Sequence, residues 1–328
     1  MSQNPDPRLH PFHHLQTPYK TINNQPIQTD LLIPKSFPHP APPLPIIIHF
    51  HGGGLICGSS LYAPWFPTYL TDLARSTPAI LLSPNYRLLP EATIQDVFED
   101  ILDFWTWLLH SPDVSALLPE GIDIDRSRVL TAGESAGGYL SLCLALHCPG
   151  EVRGAVAAYP AFLGLVPVSS LLVREQGEEL RYHHVLLDTA LRHAREGLNS
   201  VRSFTDLPER IELMDAVMKT GRMREIFERC GGVEEDLRLR YPMAKLDDPA
   251  LRIPRAGIVI LHGEGDEVVP VAESVGFVEK ARRVLGPVDG EKVRLVVREG
   301  GHGFDVEVGL REGWLWEGLR GVVEGWLD

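Results

Sequence analysis

In Arg128-Val129-Leu130-Thr131-Ala132-Gly133-Glu134-Ser135-Ala136-Gly137-Gly138-Tyr139, an apolar run gives way to a glycine-flanked serine and then to a second apolar run. The first part, Arg128–Ala132, predicts a strand buried on both faces, and Tyr139–Leu146 predicts a helix. Gly133–Gly137 between them fits G-x-S-x-G, a tight strand-to-helix turn that holds the serine strained with its Oγ exposed. Glycine is required at both flanks because a Cβ would clash in so crowded a turn. Ser135 also falls at the start of the helix, where free N–H groups favour developing negative charge. The pentapeptide is common by chance; the strand before it and the helix after it make it informative.

Upstream, His51-Gly52-Gly53-Gly54 follows directly on the strand candidate Ile46–Phe50. Three consecutive glycines leave the backbone free to turn its N–H groups inward, as acyl transfer requires for its oxyanion; losing one such donor costs about 2.7–4 kcal/mol of barrier. The bland alternative is a glycine-rich turn that merely ends a strand. Dinucleotide binding is excluded by spacing, since Cys57 stands where G-x-G-x-x-G needs its third glycine. His49 and His51 belong to no metal-binding run, and no GxxxxGK[ST] occurs, so neither a metal nor a nucleotide cofactor is expected.

Downstream, the strand candidate Gly257–Leu261 leads into His262-Gly263-Glu264-Gly265-Asp266. The strand candidate Val293–Val297 leads into Glu299-Gly300-Gly301-His302-Gly303-Phe304. An acid and a histidine on neighbouring strand-end loops fall at the carboxyl edge of a parallel sheet, where the serine turn also opens. Asp266 is the preferred acid, at the tip of its glycine-flanked turn, with Glu264 the alternative. His302 stands between glycines just after a strand; His262 is read as a brace for the acid's loop. The other histidines, including His10, His13, His14, His39, His183, His184 and His193, are read as solvated or structural. The order Ser135, Asp266, His302 is the serine–acid–histidine order of one hydrolase architecture and not of the chymotrypsin or subtilisin types.

Further strand candidates at Ala79–Pro84 and Gly154–Tyr159 alternate with amphipathic segments. One carries Ile94, Val97, Phe98, Ile101, Trp105 and Leu108; another, Val271–Leu285, lies between the acid and the histidine; the last carries Leu315, Leu319, Val322, Val323 and Trp326. The alternation predicts an α/β fold, a mostly parallel central sheet with helices on both faces. Before it, Tyr19–Ile22 and Ile27–Ile33 flank Asn23-Asn24 as a hairpin whose turn tolerates positive φ. Residues 171–240 carry 26 charged side chains in 70 and no strand-like run; Leu186, Ala190, Ala194 and Leu198 suggest helices there. The domain expectation is an arm, 1–43, as part of a cap; a core of 44–162 and 246–328; and a helical cap insertion, 163–245.

Composition closes off other classes. With 44 acidic and 31 basic residues the formal charge is −13, which argues against nucleic acid and anionic membranes as partners. No apolar run approaches the ~18–20 residues that span a bilayer. The N-terminus lacks the apolar segment of a secretory signal. Cys57, Cys143, Cys148 and Cys230 form no CxxC and are too few for a disulfide scaffold, so a cytoplasmic protein is expected.

Taken together, His51–Gly54, Gly133–Gly138, the Asp266 and His302 loops, and Asn85-Tyr86-Arg87-Leu88-Leu89-Pro90-Glu91 resemble the hormone-sensitive-lipase-like carboxylesterases of the α/β-hydrolase superfamily. The resemblance covers about residues 44–162 and 246–328. It implies a serine carboxylic-ester hydrolase with Ser135 as nucleophile, His302 as base and Asp266 as its orienting acid. It further implies an oxyanion hole from the N–H groups of Gly53, Gly54 and Ala136, with His51 orienting the glycine loop and the Asn85–Glu91 segment tying its strand to a helix beginning near Ala92. Leu55, Tyr62, Trp65 and Phe66 are candidate substrate contacts, with ordinary core packing the equal alternative. The implied partner is a small-molecule ester, with a homodimer left open. From Ser135 to Asp266 is 131 residues, longer than usual for the family; the surplus lies in the charged insertion. A lactonase, an acyltransferase, a dehydratase and a non-catalytic receptor on the same fold stand as alternatives.

Overall fold

Runs such as Ile46-Ile47-Ile48 have no polar face to turn to solvent, and every residue of the strand that contains them is buried. The computed structural model describes residues 6–37, 42–163, 177–197, 201–205, 209–229 and 238–328. Its strands are β1 (Phe12–Ile22), β2 (Gln25–Pro34), β3 (Leu44–Phe50), β4 (Ile80–Pro84), β5 (Ile124–Glu134), β6 (Val152–Ala158), β7 (Ile258–Gly263) and β8 (Val293–Arg298). They form one sheet in the order β1-β2-β4-β3-β5-β6-β7-β8. From β4 to β8 every neighbouring pair is parallel. All six strands expected from Ile46 onward are present, and the architecture is that of an α/β-hydrolase.

Side chains alternate across the sheet as strand geometry requires. Ile46, Ile48 and Phe50 join one core and Ile47 the other; Ile80 and Leu82 oppose Leu81 in the same way. On the first face pack α2 (Ile94–His110), α4 (Ala136–His147) and α9 (Val271–Gly290), with the short α3 (Pro112–Ala116) and α8 (Pro242–Lys245) against the same core. On the second lie α1 (Thr68–Ser76) and α10 (Gly313–Leu327), whose Trp326 is fully buried and donates its Nε1–H to the Arg128 carbonyl at 2.8 Å. Gly286, at φ 73°, interrupts α9 just after the end expected at Leu285.

The hairpin expected in the N-terminal arm exists, with Asn23 and Asn24 both at positive φ (50° and 61°). β2 pairs antiparallel with β4, so the hairpin extends the sheet, because Leu31 and Leu32 must be buried on opposite faces. Asp30 is held there by the Ser60 hydroxyl and by His14. Ahead of the hairpin, Arg8 pairs with Asp6 and donates to the carbonyls of Ala63 (2.5 Å) and Phe66 (2.6 Å).

In the charged insertion, α5 (Glu178–Arg195) is followed by α6 (Ile211–Thr220) and α7 (Met223–Phe227). The inward stripe of α5 is His183, Leu187 and Leu191. Leu186, Ala190 and Ala194, the expected stripe, lie beside it half-buried, since the apolar arc of α5 is centred one residue later. Leu198, His39 and Cys230 lie outside the described residues. Cys57, Cys143 and Cys148 are free thiols.

The Asn85–Glu91 segment is pinned by charge. Arg87 places Nε 2.8 Å from Asp100 and Nη1 2.7 Å from Asp96, while Lys20 reaches Asp100 from β1 at 2.8 Å. Helix α2 begins at Ile94, two residues beyond the expected start, because Thr93 and Asp96 form a reciprocal capping box. On the other side Arg210, from the insertion, pairs with Glu91 at 2.9 Å and donates to the Leu89 carbonyl at 2.7 Å. Asp100 is fully buried, so removing its main partner leaves a poorly compensated charge. Arg87→Met should cost about 3 kcal/mol of stability, read from the urea midpoint at unchanged slope; a shift too small to measure would show that Lys20 alone suffices.

Candidate active site

β5 runs straight into Ser135, which sits at φ 53° and ψ −118°, and α4 begins at the next residue. This is left-handed backbone that a side chain adopts only under constraint, at a cost of about 1–3 kcal/mol. The constraint is visible: Ser135 N–H donates to the Ala158 carbonyl at 2.9 Å, and its own carbonyl accepts from Tyr139 and Ala161. A Cβ on Gly133 would strike Gly137, and one on Gly137 would strike the Phe50 carbonyl, so both glycines of the pentapeptide are sterically required.

Asp266 and His302 meet although 36 residues separate them. His302 Nδ1 lies 2.8 Å from Asp266 Oδ2, and the N–H groups of Val268 and Val269 both donate to Oδ1 at 2.8 Å. Burial alone would raise this carboxyl. The hydrogen bonds from His262, His302 and the Val269 N–H, with the charge of His302, outweigh it and hold Asp266 well below the usual carboxylate range. His262 acts as the loop's brace: Nδ1 contacts Ser274 Oγ at 2.8 Å and Nε2 the Val269 carbonyl at 2.9 Å. Glu264, the alternative acid, is exposed.

Ser135 and His302 line one cavity of about 670 Å³ together with Gly52, Gly53 and Gly54. No hydrogen bond links Ser135 to His302 in this structure. Gly53 and Gly54 have φ of 102° and 62°. The N–H groups of Gly53, Gly54 and Ala136 donate to no acceptor among the described residues. The loop is fixed from beneath by His51, whose ring stacks on Tyr86 at 4.3 Å and whose Nδ1 lies 2.7 Å from the Gly52 carbonyl. Burial lowers the His51 pKa to about 3, so its imidazole is neutral and Nδ1–H is the donor. Of the four candidate substrate contacts, Trp65 lines the cavity. Leu55 and Phe66 are buried in the two cores, and Tyr62 packs edge-on against Trp65.

Two polar residues missed by sequence reasoning hold the glycine loop against the serine turn. Glu134, fully inside the fold, accepts the Gly52 N–H on Oε1 at 2.9 Å and contacts His49 Nε2 through Oε2 at 2.9 Å. His49 in turn reaches Ser83 Oγ at 2.9 Å. One chain of contacts thus crosses β4, β3 and β5 and ends on the glycine loop. The signal was present: a histidine inside an otherwise apolar strand, and an acid as the first variable residue of G-x-S-x-G. Tyr159 was also overlooked. At φ 36° it lies under the His302 ring, 4.5 Å between centroids, and its side chain approaches Asp305. Asp305 is fully buried without a well-formed hydrogen bond on either oxygen, and burial raises its pKa to about 6.

Among the described residues, no group of three or more His, Cys, Asp or Glu is placed to hold a metal ion, and no helix is long and apolar enough to cross a membrane.

Comparison with known proteins agrees with this fold. A family model described as alpha/beta hydrolase fold matches residues 47–196. A probable carboxylesterase, M8, of Phoma sp. is 28% identical over 321 residues, spanning 94% of each chain. The chain is thus similar to carboxylesterases and has the α/β-hydrolase fold. Tuliposide A-converting enzyme b1 of Tulipa gesneriana is 31% identical over 164 residues, covering 49% of this chain and 42% of the tulip enzyme. Among solved structures, esterase B of Lactobacillus rhamnosis shares the fold at a TM-score of 0.63 and 15% identity, over 97% of this chain and 87% of that one. Thermogutta terrifontis esterase 2 phosphonylated by sarin shares it at 0.56 and 19% identity, over 93% and 91%.

Two outcomes follow from the buried acids. Glu134→Ala frees the Gly52 N–H and loosens the glycine loop, and should lower kcat about 100-fold with KM little changed; steady-state kinetics on a soluble ester would show a KM effect instead if Glu134 only supported folding. For Asp305 the folded pKa lies above the unfolded value of 3.8, so the native state is penalised once the group ionises. That penalty is absent below pH 3.8 and complete above about pH 6. Asp305→Asn should therefore raise stability by roughly 2–3 kcal/mol at pH 7.5, with the gain vanishing near pH 4; a gain independent of pH in thermal melts would contradict this.

Proposed function

We propose that the protein is a serine carboxylesterase working through Ser135, His302 and Asp266. The carrying observation is the Nδ1 contact of His302 with a buried Asp266 whose other oxygen is already saturated by two backbone N–H groups. An acid so held remains ionised and fixes the imidazole with its proton on Nδ1, leaving Nε2 as the base.

His302 takes the Ser135 proton as Oγ attacks an ester carbonyl. The N–H groups of Gly53, Gly54 and Ala136, uncommitted in the free protein, receive the oxyanion, and their rigid backing means they need not reorganise as charge develops. His302 then protonates the departing alcohol. Water, deprotonated by the same nitrogen, releases the acid and restores the serine. The described residues of the insertion act as the cap, with α6 and α7 forming the roof of the cavity. The substrate is a small-molecule ester of small to medium acyl size.

Labelling with a fluorophosphonate tests the reading. The wild-type chain should be modified at Ser135 and should turn over p-nitrophenyl esters; Ser135→Ala should lose both, with activity down at least about 10⁴-fold. A folded wild-type protein that does neither would favour the non-catalytic receptor.

A further inference from the structure

The chain has five methionines, and three of them, Met214, Met218 and Met223, line the cavity. Met214 and Met218 are one turn apart on α6, so they present adjacent side chains, and Met223 opens α7. Their placement against the glycine loop is close. A methyl group built on Gly54 would stand 3.7 Å from Met214 Cγ and Sδ and from Met223 Cε. Met214 Sδ also lies 3.5 Å from the Sγ of Cys57, in the turn whose N–H groups donate to the Gly53 carbonyl. Phe162, just beyond β6, joins this wall and is itself stacked on Phe227 of α7 at 5.1 Å.

The opposite flank is built differently. Val268 and Val269 follow Asp266, and Gly303, Phe304 and Val306 follow His302. Acyl transfer assigns the two flanks. The carbonyl oxygen must point at Gly53 and Gly54, and the departing oxygen must reach the imidazole that protonates it. The alcohol portion therefore lies along the histidine flank. The acyl substituent is directed away from His302, to the other flank, where the methionines line the cavity.

Resting on the serine-esterase reading above, we propose that Met214, Met218 and Met223 form the acyl-selecting wall, and that the acyl group they select is aromatic. Thioethers are flexible and polarisable and make favourable contacts with ring edges and faces. Phe162 adds a fixed ring to the same surface. Asp215 and Lys219 of α6 also line the cavity; Asp215 is exposed, and Lys219 pairs with Glu179 at 3.3 Å.

Two ester series separate the flanks. One varies the acyl group on p-nitrophenol (acetyl, butyryl, benzoyl, phenylacetyl); the other varies the alcohol on acetate (ethyl, phenyl, naphthyl). Each kcat/KM is normalised to the ester's hydroxide-catalysed rate. The wild type should prefer phenylacetyl to acetyl by at least about ten-fold. Met214→Ala with Met218→Ala should erase that preference and leave the alcohol series in its original order, whereas Val268→Ala should disturb the alcohol series alone. Met214→Leu with Met218→Leu keeps volume and folding and should lose part of the aromatic preference while retaining that for butyryl. No aromatic preference in the wild type, or methionine variants that reorder the alcohol series instead, would overturn the assignment with esterase activity intact. Failure of both ester turnover and fluorophosphonate labelling would instead remove the reading on which it rests.

Discussion

The site depends on how closely the C-terminal ends of β3 and β5 approach. The Phe50 carbonyl and the backbone of Gly137 are so near that no side chain fits between them, and Gly133 packs against Gly137 within the same turn. This contact brings the serine turn and the glycine loop into one rim. It also explains why the strain at Ser135 persists: the turn is over-determined on each side by hydrogen bonds to Ala158, Tyr139 and Ala161. Close packing alone would leave the glycine loop free to swing. Glu134 removes that freedom, its carboxylate held between the Gly52 N–H and His49.

Most of this was legible in the sequence because the determinants are local. A glycine that must admit another backbone leaves no choice of residue, and a doubly buried strand must be apolar throughout; both patterns survive without knowledge of partners. Strand identity and order of chemistry along the chain follow from such signals. The contact between His302 and Asp266 was inferable because parallel strands put every strand-end loop at one edge, so neighbouring loops meet whatever their separation in sequence.

What was not legible is long-range and non-periodic. The hairpin looked separable because nothing in residues 12–34 says which edge strand they will pair; β4, the strand they join, is reached only 46 residues after β2 closes. The roof of the cavity was equally opaque. Charge dominates the composition of the insertion, yet α6 and α7 bring three methionines, Met214, Met218 and Met223, to the cavity beside Asp215 and Lys219. Of the aromatic residues that follow the glycine loop, Trp65 reaches the cavity while Phe66 joins the core on the far side of the sheet. Adjacent positions in a turn diverge, and periodicity offers no rule for choosing between them.

Arg8 grips the carbonyls of Ala63 and Phe66, on either side of Trp65, while His302 arrives from the far end of the chain. The serine turn lies midway between and is built from its own strand and helix. The cavity is thus framed by stretches remote from one another in sequence, and a change that releases Arg8 reaches the backing of Trp65 without touching the turn itself.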